Sequence, residues 1–598
     1  MYQDGTCGSS AEDKRMLILV NVHEVWIAIL LSCTLCVFGG KSALAQNVPD
    51  PSRAIQDATQ IQLQIQQRQQ MDRDDLTRRS QVIKETPLPV AAPVKEEGTA
   101  TDQGCRLTNA IKLTGADHLL FRDQNALTST YIGRCLNAKG IEQLMSTITL
   151  LYVQRGYVTT RAYLPHQDFA RGQIEIKIIE GKIEKFELND KSAGTVNIGT
   201  TFPGLTGGLL NLRDIEQGAD QANSLASNHI TTQISPGKDA GGSIVKINNT
   251  PDSPWHTSLS YDNLGVSGTG RTELSASVAL DNPLHLDDSI SVSRRQSLPE
   301  ERLKAYSESE TVGYTVPYGY NTFSVGYLRT IYDRQLIQPS GNAYEATGSS
   351  TDRFLKWDRL FYRNQSSRFN FSTTLSVKPA SNYFAEQLLP LTSPRLTVLD
   401  LDLTWKTTLF GGILSIDLGE SRGLGILGAL HDQADQDSTY PSAQFHKVRA
   451  ALQYNRGFQV ARYSGDWSSQ FNFQHSHDVL YASEQMLIGG IYTVRGFSNN
   501  TLSGEDGFYW RNDLGIHLPT TPAGQAVDFK PYMAVDAGHV SQRYTGLAPG
   551  GAFMGMAAGL VMSLGHTALD VFFTHSLSMP ESMKSEGGAV YLKLTHAI

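Results

Sequence analysis

From Trp255 to the end of the 598-residue chain, hydrophobic and polar residues alternate in short segments that are separated by turn-forming residues. Because successive side chains of a β-strand point to opposite faces of a sheet, this pattern predicts strands with one apolar and one polar face. The clearest apolar sets are Leu274, Ala276, Val278 and Leu280; Phe369, Phe371, Leu375 and Val377; Leu399, Leu401, Leu403 and Trp405; and Trp467, Phe471 and Phe473.

Alternating segments of about ten residues that recur about every twenty residues are typical of outer-membrane barrels, whose strands face lipid on one side and a wet lumen on the other. A soluble β-sandwich or β-propeller is the alternative, because strands in those folds also alternate. Two features favour the barrel. Aromatic residues are frequent near the ends of the segments, and the last segment places Val590, Leu592, Leu594 and Ile598 on one face.

Residues 105–250 show a different pattern, in which strands and amphipathic helices follow one another as in two small α+β units, 105–182 and 183–250. In the first unit we predict strands over 105–113, 158–164 and 173–181 and helices over 124–134 and 141–155. In the second unit we predict strands over 182–188, 229–235 and 242–248 and a helix over 212–227. The apolar stripe of the helix over 141–155 consists of Ile141, Leu144, Met145, Ile148 and Tyr152.

The first 104 residues divide into three segments by composition. Residues 1–45 contain the apolar run Val25–Phe38 and a small-residue cleavage pattern that ends at Ala45, so they are predicted to be a secretory signal peptide. Residues 46–80 are rich in Gln and Arg and predict a polar helix, which lies either in water or inside a polar cavity. Residues 81–104 contain three prolines and predict an extended linker.

Charge and cysteine content restrict the partners and the compartment. The net charge is -8, so there is no basic excess for binding nucleic acid. Cys105 and Cys135 are the cysteines that remain after removal of the predicted signal peptide. In an exported chain such a pair is expected to form a disulfide, and two buried free thiols are the alternative.

Five motifs occur in an order that resembles the transporters of two-partner secretion, the haemolysin-activator and filamentous-haemagglutinin exporter family of the barrel-assembly superfamily. They are GYVTTRAYLPHQDFARGQIEIKIIEGKIEKFEL (156–188), YDNLGVSGTGR (261–271), GGIYTVRGF (489–497), GFYWRNDL (507–514) and VDAG (535–538). The resemblance covers the chain after the predicted signal peptide. It differs at the final residue, Ile598, where the family usually ends in Phe.

The resemblance implies a membrane β-barrel of about sixteen antiparallel strands over 251–598. Two periplasmic POTRA domains, 105–182 and 183–250, precede the barrel, and residues 46–80 are expected to form a helix that plugs the pore. In this family the first POTRA domain often carries a disulfide, which fits Cys105 and Cys135. The expected partners are a secreted client exoprotein, outer-membrane lipid and the barrel-assembly machinery, and the protein is expected to be monomeric.

The resemblance also assigns roles to residues of the barrel and of the first POTRA domain. Arg495 resembles the tip of a long loop that folds inward, and the family pairs it with Asp536 on a late barrel strand. The flanking residues of the two motifs, Val494, Gly496, Phe497 and Gly538, complete the predicted site. Client recognition is expected at the segment that contains Arg161, Tyr163, Leu164 and Pro165.

No catalytic, cofactor or metal site is predicted. Gly419–Gly423 has the spacing of a nucleophile elbow, but no helix follows it, so a hairpin turn is expected there. The resemblance therefore implies a translocator that recognises an unfolded haemolysin, adhesin or contact-inhibition toxin and exports it without nucleotide hydrolysis. The alternatives are an insertase of the same superfamily, a passive porin, and a soluble exported adhesin or hydrolase.

Overall fold

The computed structural model of the protein describes residues 104–190, 194–266, 268–298, 305–337, 343–543 and 550–598. It also describes six helical residues nearer the N-terminus: Gln64, Arg68, Gln69, Met71, Asp72 and Arg73. The predicted signal peptide lies outside the described residues, as does the predicted linker apart from Gly104. In the described part of the chain, every helix is too short or too polar to cross a membrane.

The first α+β unit contains strands β1 to β5 and helices α1 and α2. Their bounds are β1 Arg106–Leu107, β2 Ala110–Thr114, α1 Phe121–Ser129, β3 Cys135–Leu136, α2 Ala138–Gln154, β4 Arg161–Tyr163 and β5 Gln173–Ile179. Strands β2, β5 and β4 form one sheet in that order, and β1 pairs with β3 in a second. Leu144, Ile148 and Tyr152 of α2 are buried against the sheet, as the apolar stripe predicts.

Two predictions for this unit need correction. The first predicted strand is split at Thr108 and Asn109, because β1 pairs with β3 whereas β2 pairs with β5. The helix predicted over 124–134 spans 121–129 instead. It ends early because Cys135 enters β3 and is joined to Cys105 by a disulfide, with their Cα atoms 5.2 Å apart.

The second unit contains β6 Lys182–Asp190, α3 Ile198–Thr201, α4 Leu212–Ala222, β7 Ile230–Pro236 and β8 Gly242–Asn249. Its sheet has the order β6-β8-β7. Helix α3 is not predicted by the sequence pattern, and α4 is five residues shorter than predicted. The amide of Asn223 explains the shorter helix, because it bonds to both the N–H and the carbonyl of Ile230 in β7.

The rest of the described chain forms a closed antiparallel barrel with sixteen main strands, which confirms the predicted fold class. The strand bounds are β9 Trp255–Asp262, β10 Glu273–Asp281, β11 Ser289–Ser297, β12 Ala305–Tyr318, β13 Asn321–Ile337, β14 Ala343–Arg363, β15 Ser367–Phe384, β16 Gln387–Leu388, β17 Arg395–Leu409, β18 Gly412–Gly423, β19 His446–Val460, β20 Tyr463–Ser476, β21 Met486–Ile488, β22 Leu502–Gly504, β23 Asp506–Ile516, β24 Leu518–Thr520, β25 Val527–Ser541, β26 Gly551–Leu564, β27 Thr567–Ser578 and β28 Ala589–Ala597. Of the short strands, β16 and β24 belong to the barrel sheet, whereas β21 and β22 form a separate two-stranded sheet. Pairing of β28 with β9 closes the cylinder.

The alternation predicted for the strands separates an outer apolar face from an inner polar face. In β10, Leu274 and Val278 are exposed on the outside, whereas Glu273 points inward and is buried. The predicted hairpin turn at Gly419–Gly423 is wrong, because these residues end strand β18. Within it, Ser421 points inward and donates a hydrogen bond of 2.6 Å to Asp400, as expected for a polar inner face.

The second unit is attached to one end of the barrel, and this attachment orients the whole molecule. Asp220 of α4 binds Arg363 at 2.5 Å and Arg368 at 2.8 Å, where β14 turns into β15. Asp287, in the turn between β10 and β11, accepts hydrogen bonds from the segment that contains Asn197 and Thr201. These turns therefore lie at the end that faces the α+β units, and the loop between β20 and β23 starts at the opposite end.

Candidate functional site

Residues 477–505, which we call the lumenal loop, connect β20 to β23 and fold back into the barrel. The loop contains the short strands β21 and β22, which pair with each other. Beyond β21, residues 494–497 contact the inner faces of β23, β25, β26 and β27. The predicted tip of an inward-folded loop is therefore found at these residues.

Arg495 is held by two carboxylates of the barrel wall. Its Nε donates to Asp536 Oδ2 at 2.6 Å and its Nη2 to Asp536 Oδ1 at 2.7 Å, so the two side chains form a bidentate pair. The backbone N–H of Arg495 also donates to Asp536, at 3.0 Å. On the other side, Nη1 donates to Asp513 Oδ1 at 2.5 Å. This geometry fixes both the charge and the orientation of the guanidinium group.

The two carboxylates differ in their contact with water. The side chain of Asp536 is fully buried and that of Arg495 is 6% exposed, whereas the side chain of Asp513 is 34% exposed. Burial by itself would lower the pKa of Arg495, but hydrogen bonds to Asp536 and Asp513 raise this pKa above the usual value for arginine. The guanidinium group therefore stays charged, and Asp536 is the partner whose loss leaves a buried charge.

The backbone of the loop approaches the wall too closely for side chains at two positions. Gly496 has φ +101°, and a Cβ atom there would lie 2.5 Å from the carbonyl oxygen of His575 in β27. A Cβ atom on Gly555 of β26 would lie 1.7 Å from the carbonyl oxygen of Arg495. Glycine is required at both positions, because any side chain would push the loop away from the wall.

Apolar side chains next to Arg495 pack between the lumenal loop and the barrel wall. Val494 and Phe497 are buried in a cluster that includes Val540 and Phe553. The rings of Phe497 and Phe553 stack with their centroids 4.0 Å apart. Gly538 leaves room for Val494, whose Cγ2 would be 3.0 Å from a Cβ atom at that position. The structure thus brings together all six predicted residues of the two motifs.

Sequence reasoning missed two charged residues of this site, Asp513 and Arg511. Both lie on β23, where Phe508, Trp510 and Leu514 are exposed on the outer face. Arg511 donates a hydrogen bond of 2.7 Å to the carbonyl of Tyr492, which holds the loop before its tip. The alternation in the motif GFYWRNDL places positions 511 and 513 on the inner face, and this signal was available in the sequence.

The six described residues 64–73, which we call the lumenal helix, contact the polar inner face of the barrel. Arg68 binds Glu273 of β10, with one bond of 2.8 Å, and Asp72 binds Arg295 of β11 at 2.9 and 3.1 Å. Of the two settings predicted for a polar helix, water or a polar cavity, these residues occupy the second.

The lumenal helix also reaches the far wall and the lumenal loop. Arg73 donates to Ser376 of β15 at 3.1 Å and lies 3.6 Å from Asp400 of β17. The guanidinium carbon of Arg68 lies 5.6 Å from the centre of the Tyr492 ring, in the lumenal loop. The helix therefore bridges the lumen, and its contacts are ion pairs, polar hydrogen bonds and one cation–π contact.

The predicted client-recognition residues lie at the edge of the sheet in the first α+β unit. Tyr163 of β4 is 51% exposed and Leu164 is 39% exposed. Pro165 follows directly and is partly buried. Arg161 is less available, because its Nη1 donates to the carbonyls of Val158 and Thr160, each at 2.8 Å. Two of the four predicted positions, Arg161 and Tyr163, thus lie in edge strand β4, and Leu164 and Pro165 follow it directly.

Comparison with known proteins adds an independent line of observation. Residues 241–562 match the family described as haemolysin secretion/activation protein ShlB/FhaC/HecB. Residues 107–181 match a ShlB-type POTRA domain, and residues 182–236 match a POTRA domain.

Several relatives match over most of their length. The outer membrane transporter CdiB of Dickeya dadantii (strain 3937) is 32% identical, covering 84% of this chain and 88% of that protein. The hemolysin transporter protein HpmB of Proteus mirabilis is 29% identical, covering 92% and 94%. Among solved structures, CdiB from Escherichia coli has a TM-score of 0.80 at 27% identity and is matched over its full length by 93% of this chain.

Proposed function

Because this chain belongs to the ShlB/FhaC/HecB family of haemolysin secretion/activation proteins, we propose that it exports one large exoprotein by two-partner secretion. It is an outer-membrane transporter whose POTRA domains lie in the periplasm. The proposed client is a haemolysin, an adhesin or a contact-inhibition toxin, which crosses the barrel in an unfolded state. The observation that carries the proposal is a barrel lumen that contains two elements, the lumenal loop and the lumenal helix, each bound to its wall through ion pairs.

The lumenal loop acts as a fixed part of the translocation path in this proposal. Arg495 and Asp536 hold its tip on the wall. Gly496 allows the backbone to approach the wall closely, and Phe497 packs against it. With the loop at a fixed position, the remaining lumen has a defined shape when a client enters. The pair contributes through position and charge, and the proposed function involves no catalytic step.

The lumenal helix acts as the plug, which has to leave before a client can enter. Its described contacts to the wall are polar, through Arg68, Gln69, Asp72 and Arg73. Each of these groups can exchange its partner for water, so release of the described residues of the helix exposes groups that water can hydrate. This supports a plug that leaves and returns.

Client capture is proposed at strand β4 of the first POTRA domain. The backbone N–H of Ala162 donates to the hydroxyl of Thr149 in α2 only at 3.4 Å, so the hydrogen-bonding capacity of this backbone N–H on the strand edge is weakly satisfied. An extended client segment can add to the edge through backbone hydrogen bonds, which accept many side-chain sequences. Leu164 also lines a cavity of 270 Å³ beside α2, together with Ile141 and Met145. An apolar client side chain fits this cavity.

Movement of the client is proposed to proceed without nucleotide hydrolysis, because the sequence after the predicted signal peptide contains no phosphate-binding loop motif. The protein is proposed to act as a monomer, since one closed barrel supplies a complete pore. During its own biogenesis it is expected to be inserted by the barrel-assembly machinery.

The test is deletion of the gene in the producing bacterium, followed by mass spectrometry of the culture medium and of the outer membrane. We expect one very large protein to disappear from the medium and the cell surface. The wild-type gene should restore it, whereas the Arg495→Ala variant should insert into the membrane and fail to restore it. A general loss of outer-membrane barrels would instead identify an insertase, and unchanged fractions would contradict export.

A further inference from the structure

A second loop holds the lumenal loop at the residues that follow Arg495 and Phe497. Residues 579–588, which we call the last loop, connect β27 to β28. Met579 and Met583 of the last loop pack against the cluster that contains Val494 and Phe497. The last loop is therefore part of the packing around the tip, although it belongs to neither motif of the predicted site.

Glu586 is the polar centre of this contact. Its carboxylate accepts hydrogen bonds from three successive backbone N–H groups, those of Ser498 at 2.8 Å, Asn499 at 3.0 Å and Asn500 at 2.5 Å. The hydroxyl of Ser498 donates to the same carboxylate at 2.8 Å. A row of backbone N–H groups that converge on one anion forms a strong, charge-assisted site.

Glu586 is itself fixed to the barrel. Its carbonyl accepts a hydrogen bond of 3.1 Å from Ser576, the first residue after the close contact of Gly496 with His575. The amide of Asn500 donates to the carbonyl of Lys584 at 2.9 Å, which adds a second bond between the two loops. Glu586 therefore connects residues 498–500 to β27 and fixes their position relative to this strand.

We propose that Glu586 is a positioning residue that locks the lumenal loop, independently of the pair formed by Arg495 and Asp536. The two locks lie on either side of Gly496 and Phe497, so loss of one leaves the other in place. When the Glu586 carboxylate no longer accepts these hydrogen bonds, residues 498–500 move away from the wall, while Arg495 remains bound to Asp536. Its importance for export, though not the lock itself, rests on the proposed function.

The test compares Glu586→Gln with Glu581→Gln, a matched change at an exposed position of the same loop. Each variant also carries Asn499→Cys for a spin label, because position 499 is exposed. Cys105 and Cys135 are joined in a disulfide and do not take the label. The proteins are refolded into lipid vesicles, and heat-modifiable migration shows whether each barrel has folded.

We expect the immobile component of the label spectrum to be lost in Glu586→Gln and to be unchanged in Glu581→Gln. Glu586→Asp should restore part of it, because a carboxylate is again present. An unchanged spectrum in a folded Glu586→Gln barrel would overturn the proposal. The spectrum is measured without a client, so it separates failure of the lock from failure of export.

Export by the same variants gives the second measurement. If the lock matters for export, Glu586→Gln reduces the amount of client in the medium while Glu581→Gln does not. If the label becomes mobile and export is normal, the lock exists and its proposed importance for export is wrong. If Arg495→Ala also exports normally, the proposed function of the whole loop fails, whereas the spectrum still reports on Glu586.

Discussion

Arg495 of the lumenal loop and Arg68 of the lumenal helix both bind a buried carboxylate of the barrel wall, Asp536 in one case and Glu273 in the other. Around Arg495, the backbone also fits into the wall, as the approach of Gly496 to His575 and the stacking of Phe497 show. Around Arg68, the described contacts are made by long side chains that reach across a polar lumen. Shape and charge together hold the loop, whereas the described residues of the helix are held by ion pairs, neutral hydrogen bonds of Gln69 and a cation–π contact.

This difference is consistent with the proposal that the loop is a permanent part of the lumen and the helix a removable one. Removing the loop would expose apolar side chains and leave Asp536 as a buried, unpaired charge, which is costly. Removing the helix would expose polar groups to water that can hydrate them. The following three predictions test this comparison.

The largest effect is expected from Asp536→Asn compared with Asp513→Asn. The first change leaves the buried guanidinium of Arg495 without its bidentate partner, at a local cost of about 3–5 kcal/mol. The second removes a partly exposed partner and should cost about 0–1 kcal/mol. Export, measured as client in the medium per folded barrel, should be nearly lost in Asp536→Asn and largely kept in Asp513→Asn. Equal effects would show that burial does not decide the strength of this contact.

A smaller effect is expected from Gly496→Ala compared with Gly490→Ala. Both glycines have positive φ, +101° and +94°, so alanine costs backbone strain of about 1–2 kcal/mol at either position. Only at Gly496 would the new methyl group also collide with the backbone of β27; at Gly490 the space is open. Gly496→Ala should therefore reduce export more strongly than Gly490→Ala. The same export assay decides this, and the reverse order would rule out close fit as the reason for the glycine.

The smallest effect on export, but a clear effect on the pore, is expected from Glu273→Gln. This change removes the carboxylate that binds Arg68, so the helix should leave the lumen more often. The control is Glu345→Gln, at an exposed position of β14. In planar lipid bilayers the Glu273→Gln pore should be open for a larger fraction of time, and the control should behave like wild type. An unchanged open fraction would mean that contacts other than charge keep the helix in place.

Much of the fold could be predicted from the sequence, because the periodicity of hydrophobic positions depends on local geometry. The alternation from Trp255 onward predicts strands with a lipid face and a lumen face, and the stripe on α2 predicts its buried side. Several of the errors concern element ends that are set by partners outside the element; the others are helix α3, which was not predicted, and Gly419–Gly423, which end a strand instead of forming a hairpin turn. Helix α4 ends where Asn223 binds Ile230. The first predicted strand is split in two, because β1 pairs with β3 whereas β2 pairs with β5.

The candidate site shows the same division. Motifs around Arg495 and Asp536 were recognisable, and alternation could have added Asp513. Glu586 could not have been found in this way, because it lies in the loop MPESMKSEGG (579–588), which has no periodic signal. Its role arises from three N–H groups almost ninety residues earlier in the chain.

By itself, the sequence determined which residues face lipid, which face water and where the chain changes from α+β units to a barrel, since these properties follow from patterns between near neighbours. Only the tertiary structure decided that Arg495 also binds Asp513, that Arg68 binds Glu273 and that the last loop holds the lumenal loop. Such contacts join residues far apart in the chain, and their strength depends on burial, which closure of the barrel creates.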